Sequence, residues 1–346
     1  MKAWRIGVAA AGILALALLG RTIPATTNAA ELATIRYGID DPQNVNRLPQ
    51  IVAEREGMFA REGLKVEIIR FTSPFRNRGQ GPAAQPGAPT TVREAMTQGV
   101  IDMAREQLPL LINDDLGGRK TVGVAITVSN PIYFLAVRPE IKSFADLKGK
   151  AITITNPHDG ITIWTRELLA LHGLKTGDVN LKNIAGSDGR FECLNRGECA
   201  GATLDQPAIF KALDAGHHVL GLTNEVAPLL YQVDVVNPVW AVAHRDAVAK
   251  YIRATTAAMR FIMDPSKRGE VVKVMADFMN QPEPRVRQML AYIWDPKNRV
   301  LPQTTALDPG AVRQAIALLG KYDVLNQPLP PPERFIDASY GLAAGR

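Results

Sequence analysis

Cysteine is scarce: Cys193 and Cys199 are the only two in 346 residues. A zinc site needs ligands beyond these two, and no nearby His–Cys spacing supplies them. The adjacent His217 and His218 precede a strand, where neighbouring side chains point to opposite faces, so they do not share a metal. No run of Lys and Arg appears, nor any interleaving of basic with aromatic residues, which excludes a nucleic-acid surface. There is no Walker loop, no Gly-x-Gly-x-x-Gly and no Ser–His–Asp order, so nothing requires a nucleotide, a cofactor or a hydrolytic triad. The apolar run over residues 6–19 is about fourteen long, short of the ~20 needed to span a bilayer.

That run is the middle of a three-part leader. Lys2 and Arg5 precede it, Arg21 ends it, and the small stretch Thr26-Thr27-Asn28-Ala29-Ala30 follows, the pattern of a cleavable secretory signal peptide. No cysteine sits near the cleavage region and no twin-arginine pair precedes it, so ordinary export to the periplasm without a lipid anchor is expected. Residues 1–30 hold Lys2, Arg5 and Arg21 and no acid, so removing them leaves 37 basic against 34 acidic groups. In an exported chain, Cys193 and Cys199, either side of the turn at 194–198, are expected to form a disulfide.

About 316 residues remain, too many for one compact core and suited to two lobes. Strand-like and helix-like segments alternate at short intervals, which predicts an α/β class with mostly parallel sheets. Strands are expected at residues 33–39, 65–71, 100–104, 121–127, 132–137, 151–155 and 200–204. Helices are expected at residues 48–59 (interrupted by Gly57), 92–98, 160–172 and 207–215. Beyond Trp240 the pattern is helical alone: Val248, Ile252, Thr255, Met259 and Ile262 make a 4-3-4-3 stripe, with further helices near 267–279, 284–293 and 309–321.

Short motifs in a fixed order carry a resemblance. Gly57-Met58-Phe59 and Gly63-Leu64-Lys65-Val66 follow the first helix. Gly99-Val100-Ile101-Asp102-Met103-Ala104 comes next, then Ile141-Lys142-Ser143-Phe144-Ala145-Asp146-Leu147-Lys148-Gly149-Lys150. Leu171-His172-Gly173-Leu174 and Arg196-Gly197-Glu198-Cys199-Ala200-Gly201-Ala202 complete the series. The chain resembles the sulfonate-, nitrate-, taurine- and thiamine-precursor-type substrate-binding proteins of ABC importers over most of residues 33–245. The resemblance implies a periplasmic-binding-protein fold with lobe 1 at 31–130 and 240–346, lobe 2 at 131–239, and crossing strands near 127–137 and 234–243. It also implies a monomer that closes on a small molecule and docks on an inner-membrane permease driven by an ATPase. The same fold hosts desulfinases and pyrimidine-synthesising enzymes. Those use a nucleophilic cysteine after the first strand, or a cysteine-rich motif; here the first place reads Ile39-Asp40-Asp41-Pro42. A non-enzyme is therefore expected.

In parallel α/β sheets ligands gather at the carboxyl ends of strands, where helix N-termini favour anions. In lobe 1 this selects Asp40, Asp41 and Asn44 after strand one, Thr72 and Ser73 after strand two, and Arg105 and Glu106 after strand three. Arg105 offers a bidentate grip on an oxyanion, or an ion pair with Glu106 or Asp102. In lobe 2 it selects Asn156, His158, Gly160 and Thr162 around the helix start, with Asp159 as its cap, and Asp205 and Gln206 after a later strand. Trp240, set near the second crossing, offers a wall or a packing residue. Residues 72–90, rich in Pro and Gly, read either as a flap over the cleft or as a surface insertion. The arginine and the helix start favour an organic anion such as a sulfonate or aromatic carboxylate, and the acids a zwitterion such as taurine.

Overall fold

The computed structural model describes residues 32–39, 45–71, 91–118, 120–130, 132–157, 159–226 and 231–345. Asp40, Asp41, Asn44, Thr72, Ser73, His158, the leader and the 72–90 stretch lie outside these. The strands in chain order are β1 (Ala33–Ile39), β2 (Leu64–Arg70), β3 (Met103–Gln107), β4 (Val122–Val128), β5 (Phe134–Val137), β6 (Ala151–Ile154), β7 (Asn180–Asn183), β8 (Gly201–Leu204), β9 (His218–Leu222) and β10 (Gln232–Val236). The helices are α1 (Leu48–Arg55), α2 (Met58–Arg61), α3 (Val92–Thr97), α4 (Leu108–Leu116), α5 (Gly160–Leu171), α6 (Ser187–Asn195) and α7 (Ala208–Asp214). They continue with α8 (Pro238–Ala243), α9 (Arg245–Met263), α10 (Arg268–Met279), α11 (Glu283–Trp294), α12 (Pro309–Lys321) and α13 (Ser339–Ala344).

The strands form two five-stranded sheets, ordered β2-β1-β3-β10-β4 and β7-β6-β8-β5-β9. In each, one strand runs against the other four: β10 pairs antiparallel with β3 and β4, and β5 with β8 and β9. The α/β class with mostly parallel sheets is thus borne out. The chain leaves the first sheet after β4, builds the second with β5 to β9, and is back in the first at β10. This corrects the second crossing expected near 234–243. Val233, Asp234, Val235 and Val236 already sit in the first sheet, and a strand buried along its whole length reads the same in either sheet.

Local sequence accounts for most elements. Gly57 (φ +65°) separates α1 from α2, a conformation that costs glycine little. In α9 the stripe Val248, Ile252, Thr255, Met259 and Ile262 is buried throughout. α5 buries Ile161, Trp164 and Leu168, whereas Leu171, placed on the same face by spacing, is 58% exposed at the last turn. Ser143 and Asp146 form the expected capping box. β3 begins three residues later than expected, because Val100–Asp102 serve as a connection in which Asp102 accepts from the Arg36 main-chain N–H at 2.8 Å. Arg105 and Glu106 therefore lie within β3, not after it. Cys193 and Cys199 are joined in a disulfide with Cα atoms 5.5 Å apart.

Candidate functional site

The carboxyl ends of β3 in the first sheet and of β6 and β8 in the second lie near one residue, Tyr231, which immediately precedes β10. Its carbonyl accepts from Leu108 N–H at 2.9 Å, capping α4. Its ring lies against Gly160, the first residue of α5, and tilts on Trp164 with centroids 4.9 Å apart. Its hydroxyl meets that of Tyr133, from the outgoing crossing, at 2.7 Å. Burial pushes the Tyr231 phenol well up; the Tyr133 hydroxyl and the Arg105 charge act against that, and the Asp159 and Asp205 charges add to it. Arg105 from the first sheet and Asp159 and Asp205 from the second therefore act on one buried hydroxyl. The two tyrosines form the floor of the junction between the sheets.

On the second-sheet side, Asp159 is the cap of α5, accepting from Thr162 N–H at 2.9 Å and from the Thr155 hydroxyl. Burial raises its carboxyl above the ordinary range, against those hydrogen bonds and the Arg190 charge. Asn156 carbonyl accepts from Asp159 N–H at 3.1 Å. Gly160 is tightly enclosed: a Cβ would stand 3.3 Å from the Trp164 and Tyr231 rings, which would have to give by a few tenths of an ångström. Thr162 is fully buried and its N–H is spent on the cap. Asp205 and the buried Gln206 follow β8. Beneath them Arg190, 1% exposed, ties the strand ends together through Thr203 carbonyl (2.7 Å) and the Ser187 hydroxyl (2.7 Å).

On the first-sheet side, both ion-pair partners weighed for Arg105 are taken. Asp102 grips Arg36, with Nη2 to Oδ1 at 2.5 Å, and Glu106 pairs with Arg93 at 3.1 Å. Glu106 and Arg105 alternate across the sheet: Glu106 faces α3 and α4, where Arg93 also meets Asp114 at 2.9 Å. Glu106 is therefore not brought together with the residues at Tyr231. Arg105 donates to Asn46 carbonyl at 3.4 Å and stands opposite Asp234 of β10. Asp234 is fully buried and accepts from Tyr37 (2.6 Å), Tyr251 (3.0 Å) and Gln50 (3.2 Å). Burial raises its carboxyl to about 6, against those donors and the Arg105 charge.

Trp240 is the outlier. Gln232 pairs with Gln107 and Val236 with Met103, so β10 carries the chain away from the site. Trp240 lies past the opposite edge of the sheet, stacked on His244 with centroids 4.5 Å apart. Tyr133, Tyr231, Arg190 and Asp234 escaped the sequence reading. The available signal was positional: both tyrosines immediately precede a crossing-derived strand.

Comparison with known proteins follows the same lines. The family model described as NMT1-like family matches residues 29–276. A Haemophilus influenzae protein named for thiamine biosynthesis is 30% identical over 138 residues, 39% of this chain; the match spans 38% of that relative's length. The alkanesulfonate-binding protein SsuA from Xanthomonas axonopodis pv. citri, solved with MOPS, superposes with a TM-score of 0.68 at 18% identity, covering 89% of this chain and 99% of that one. The periplasmic nitrate-binding protein NrtA from Synechocystis PCC 6803 gives 0.73 at 13% identity, covering 91% and 89%. The desulfurization enzyme DSZB gives 0.62 at 17% identity, covering 91% and 99%. Those structures share the fold of this chain, that of periplasmic binding proteins.

Proposed function

Since the chain belongs to the NMT1-like family, we propose that it is an exported solute-binding protein that captures a small organic anion or zwitterion between its two sheets for an ABC permease and its ATPase. In this reading residues 1–30 are a leader removed on export to the periplasm, and the mature chain is a monomer. Lobe 1 is 31–130 with 240–346, and lobe 2 is 131–239 with its return strand β10 lent to lobe 1. The single observation that carries the proposal is the place of Tyr231, whose carbonyl caps α4 at the end of β3 in the first sheet while its ring lies against Gly160, where α5 starts beyond β6 of the second. Arg105 presents a guanidinium near the carboxyl end of β3, and its planar fork is the group that suits an oxyanion. A sulfonate, a taurine-like zwitterion or an aromatic carboxylate meets that chemistry, with Asp40, Asp41, Asn44, Thr72, Ser73, Asn156, His158 and Gln206 as further candidates around it.

The likeness to DSZB motivates an enzyme as second reading. A thiol nucleophile has no residue to supply it, because both cysteines are joined to one another.

The test is a thermal-shift screen of the processed protein against sulfonates, aromatic carboxylates and nitrate. A micromolar binder at millimolar concentration adds roughly 4 kcal/mol to the folded state. One class is expected to raise the melting temperature, and Arg105→Ala to weaken that binding about 10- to 100-fold, the worth of a charged hydrogen bond. No response to any anion would overturn the ligand class, and turnover of a bound compound would favour the enzyme.

A further inference from the structure

Two exposed side-chain clusters bridge the second-sheet helices to the C-terminal helices, away from the Tyr231 floor. On one flank Glu167, two turns into α5, accepts from Lys321 Nζ at 2.5 Å and from the Tyr322 hydroxyl, and the Arg166 guanidinium lies 5.5 Å from the Tyr322 ring centre. On the other, Asp214 at the end of α7 meets Arg285 of α11 at 3.0 Å, and the same guanidinium lies 4.7 Å from the Phe210 ring centre. These flanks belong to opposite faces of the first sheet. α12 packs on α4, which shares its face with α3 and Glu106; α11 packs on α10 and through it on α1, whose Gln50 reaches Asp234 on the other face.

Their chemistry differs from that of the floor. Tyr133 and Tyr231 are sealed from water, whereas each pair joins an exposed side chain (Lys321 56%, Asp214 65%) to a partly exposed one (Glu167 22%, Arg285 30%). Partners so exposed separate without stranding a buried charge, and each pair contributes little. A pair of weak contacts, far from the floor and made only when the lobes are together, biases an opening equilibrium without locking it.

We propose that the Glu167–Lys321–Tyr322 cluster and the Asp214–Arg285 pair are two closure latches that set how readily the cleft opens. The proposal rests on the reading of the two sheets as lobes that move. Because a ligand that needs the closed form pays for the open fraction, loosening the latches weakens its binding by the same factor. Arg285 holds α7 by charge and by its flat face on Phe210, so lysine replaces it only in part.

The test measures the distance between nitroxide labels on Lys175→Cys and Lys273→Cys by electron–electron resonance, with the native disulfide intact. Both positions are exposed, and the chain has no free cysteine to interfere. Glu167→Ala and Arg285→Ala are each expected to lower the ratio of short to long distances about threefold, and together about tenfold. The charge swap Asp214→Arg with Arg285→Asp is expected to restore it in part, by the charge and without the Phe210 contact, which a merely destabilised fold would not do. Identical distance distributions in the parent and the double variant, with unchanged circular dichroism, would overturn the latches. MOPS titration of the same proteins separates the two readings: distances that respond while no sulfonate binds leave the latches standing and remove the ligand class.

Discussion

At the residue scale the most consequential group is Asp234, a carboxylate sealed between β10, β1, α1 and α9. Its carboxyl lies near 6 instead of 3.8, so the folded state holds its proton more tightly than the unfolded chain does. The burial penalty is absent below about 3.8, grows as pH rises, and is complete above about 6, where it amounts to roughly 3 kcal/mol. Asp234→Asn lacks this penalty but loses one of the two oxygens that Tyr37 and Tyr251 need. Its stability relative to the parent is therefore expected to improve between pH 4 and pH 7, read by urea unfolding at each pH; a constant difference would refute the assignment. Gly160→Ala is expected to cost about 1–3 kcal/mol, since the new methyl presses on two rings fixed by packing. A thermal melt checks it. Of the site, Arg105, Asp205 and the α5 cap were legible because strand ends and helix starts carry local signals. Tyr231 and Asp234 were not, since much of their importance comes from partners far along the chain: Tyr133 is 98 residues from Tyr231, and Tyr37 is 197 from Asp234.

Elements were legible where periodicity and caps agree. α9 and α5 came from their stripes, and the 143–146 turn from its capping box. α4 was missed because Leu108-Pro109-Leu110-Leu111-Ile112 is a short apolar run, and such runs do not distinguish a buried strand from a buried helix. Proline at its second position is in fact a helix-start feature. β3 was shifted because Val100 and Ile101 carry strand propensity, while Asp102 is needed at the connection to hold Arg36. The disulfide closes a loop of sequence separation 6 between α6 and β8, a span worth about 2 kcal/mol in the chain-entropy account. Reduction, or Cys193→Ser with Cys199→Ser, is expected to lower unfolding stability by about that amount in chemical denaturation. An unchanged midpoint would mean that the Cys193–Cys199 turn is fixed by its neighbours alone, among them Arg138 on the Gly197 carbonyl at 3.2 Å.

For the whole molecule, alternating elements and a late helical block were enough to anticipate two α/β sheets and one set of closing helices. The second crossing was misplaced for lack of any local mark: Gln232 to Val236 is a buried strand whose sheet is decided only by where β3 and β4 already stand. That dependence has a consequence for the order in which the molecule can be built. In the first sheet β4 pairs with β10 and with no other named strand, and β10 is synthesised more than a hundred residues later. A chain emerging N-terminus first thus carries β1 to β4 through the making of the whole second sheet without the strand that joins them. Long-range pairing of this kind is slow to form. A polypeptide that cannot complete its first half until two-thirds of it has appeared stays open to threading for as long as it is being made.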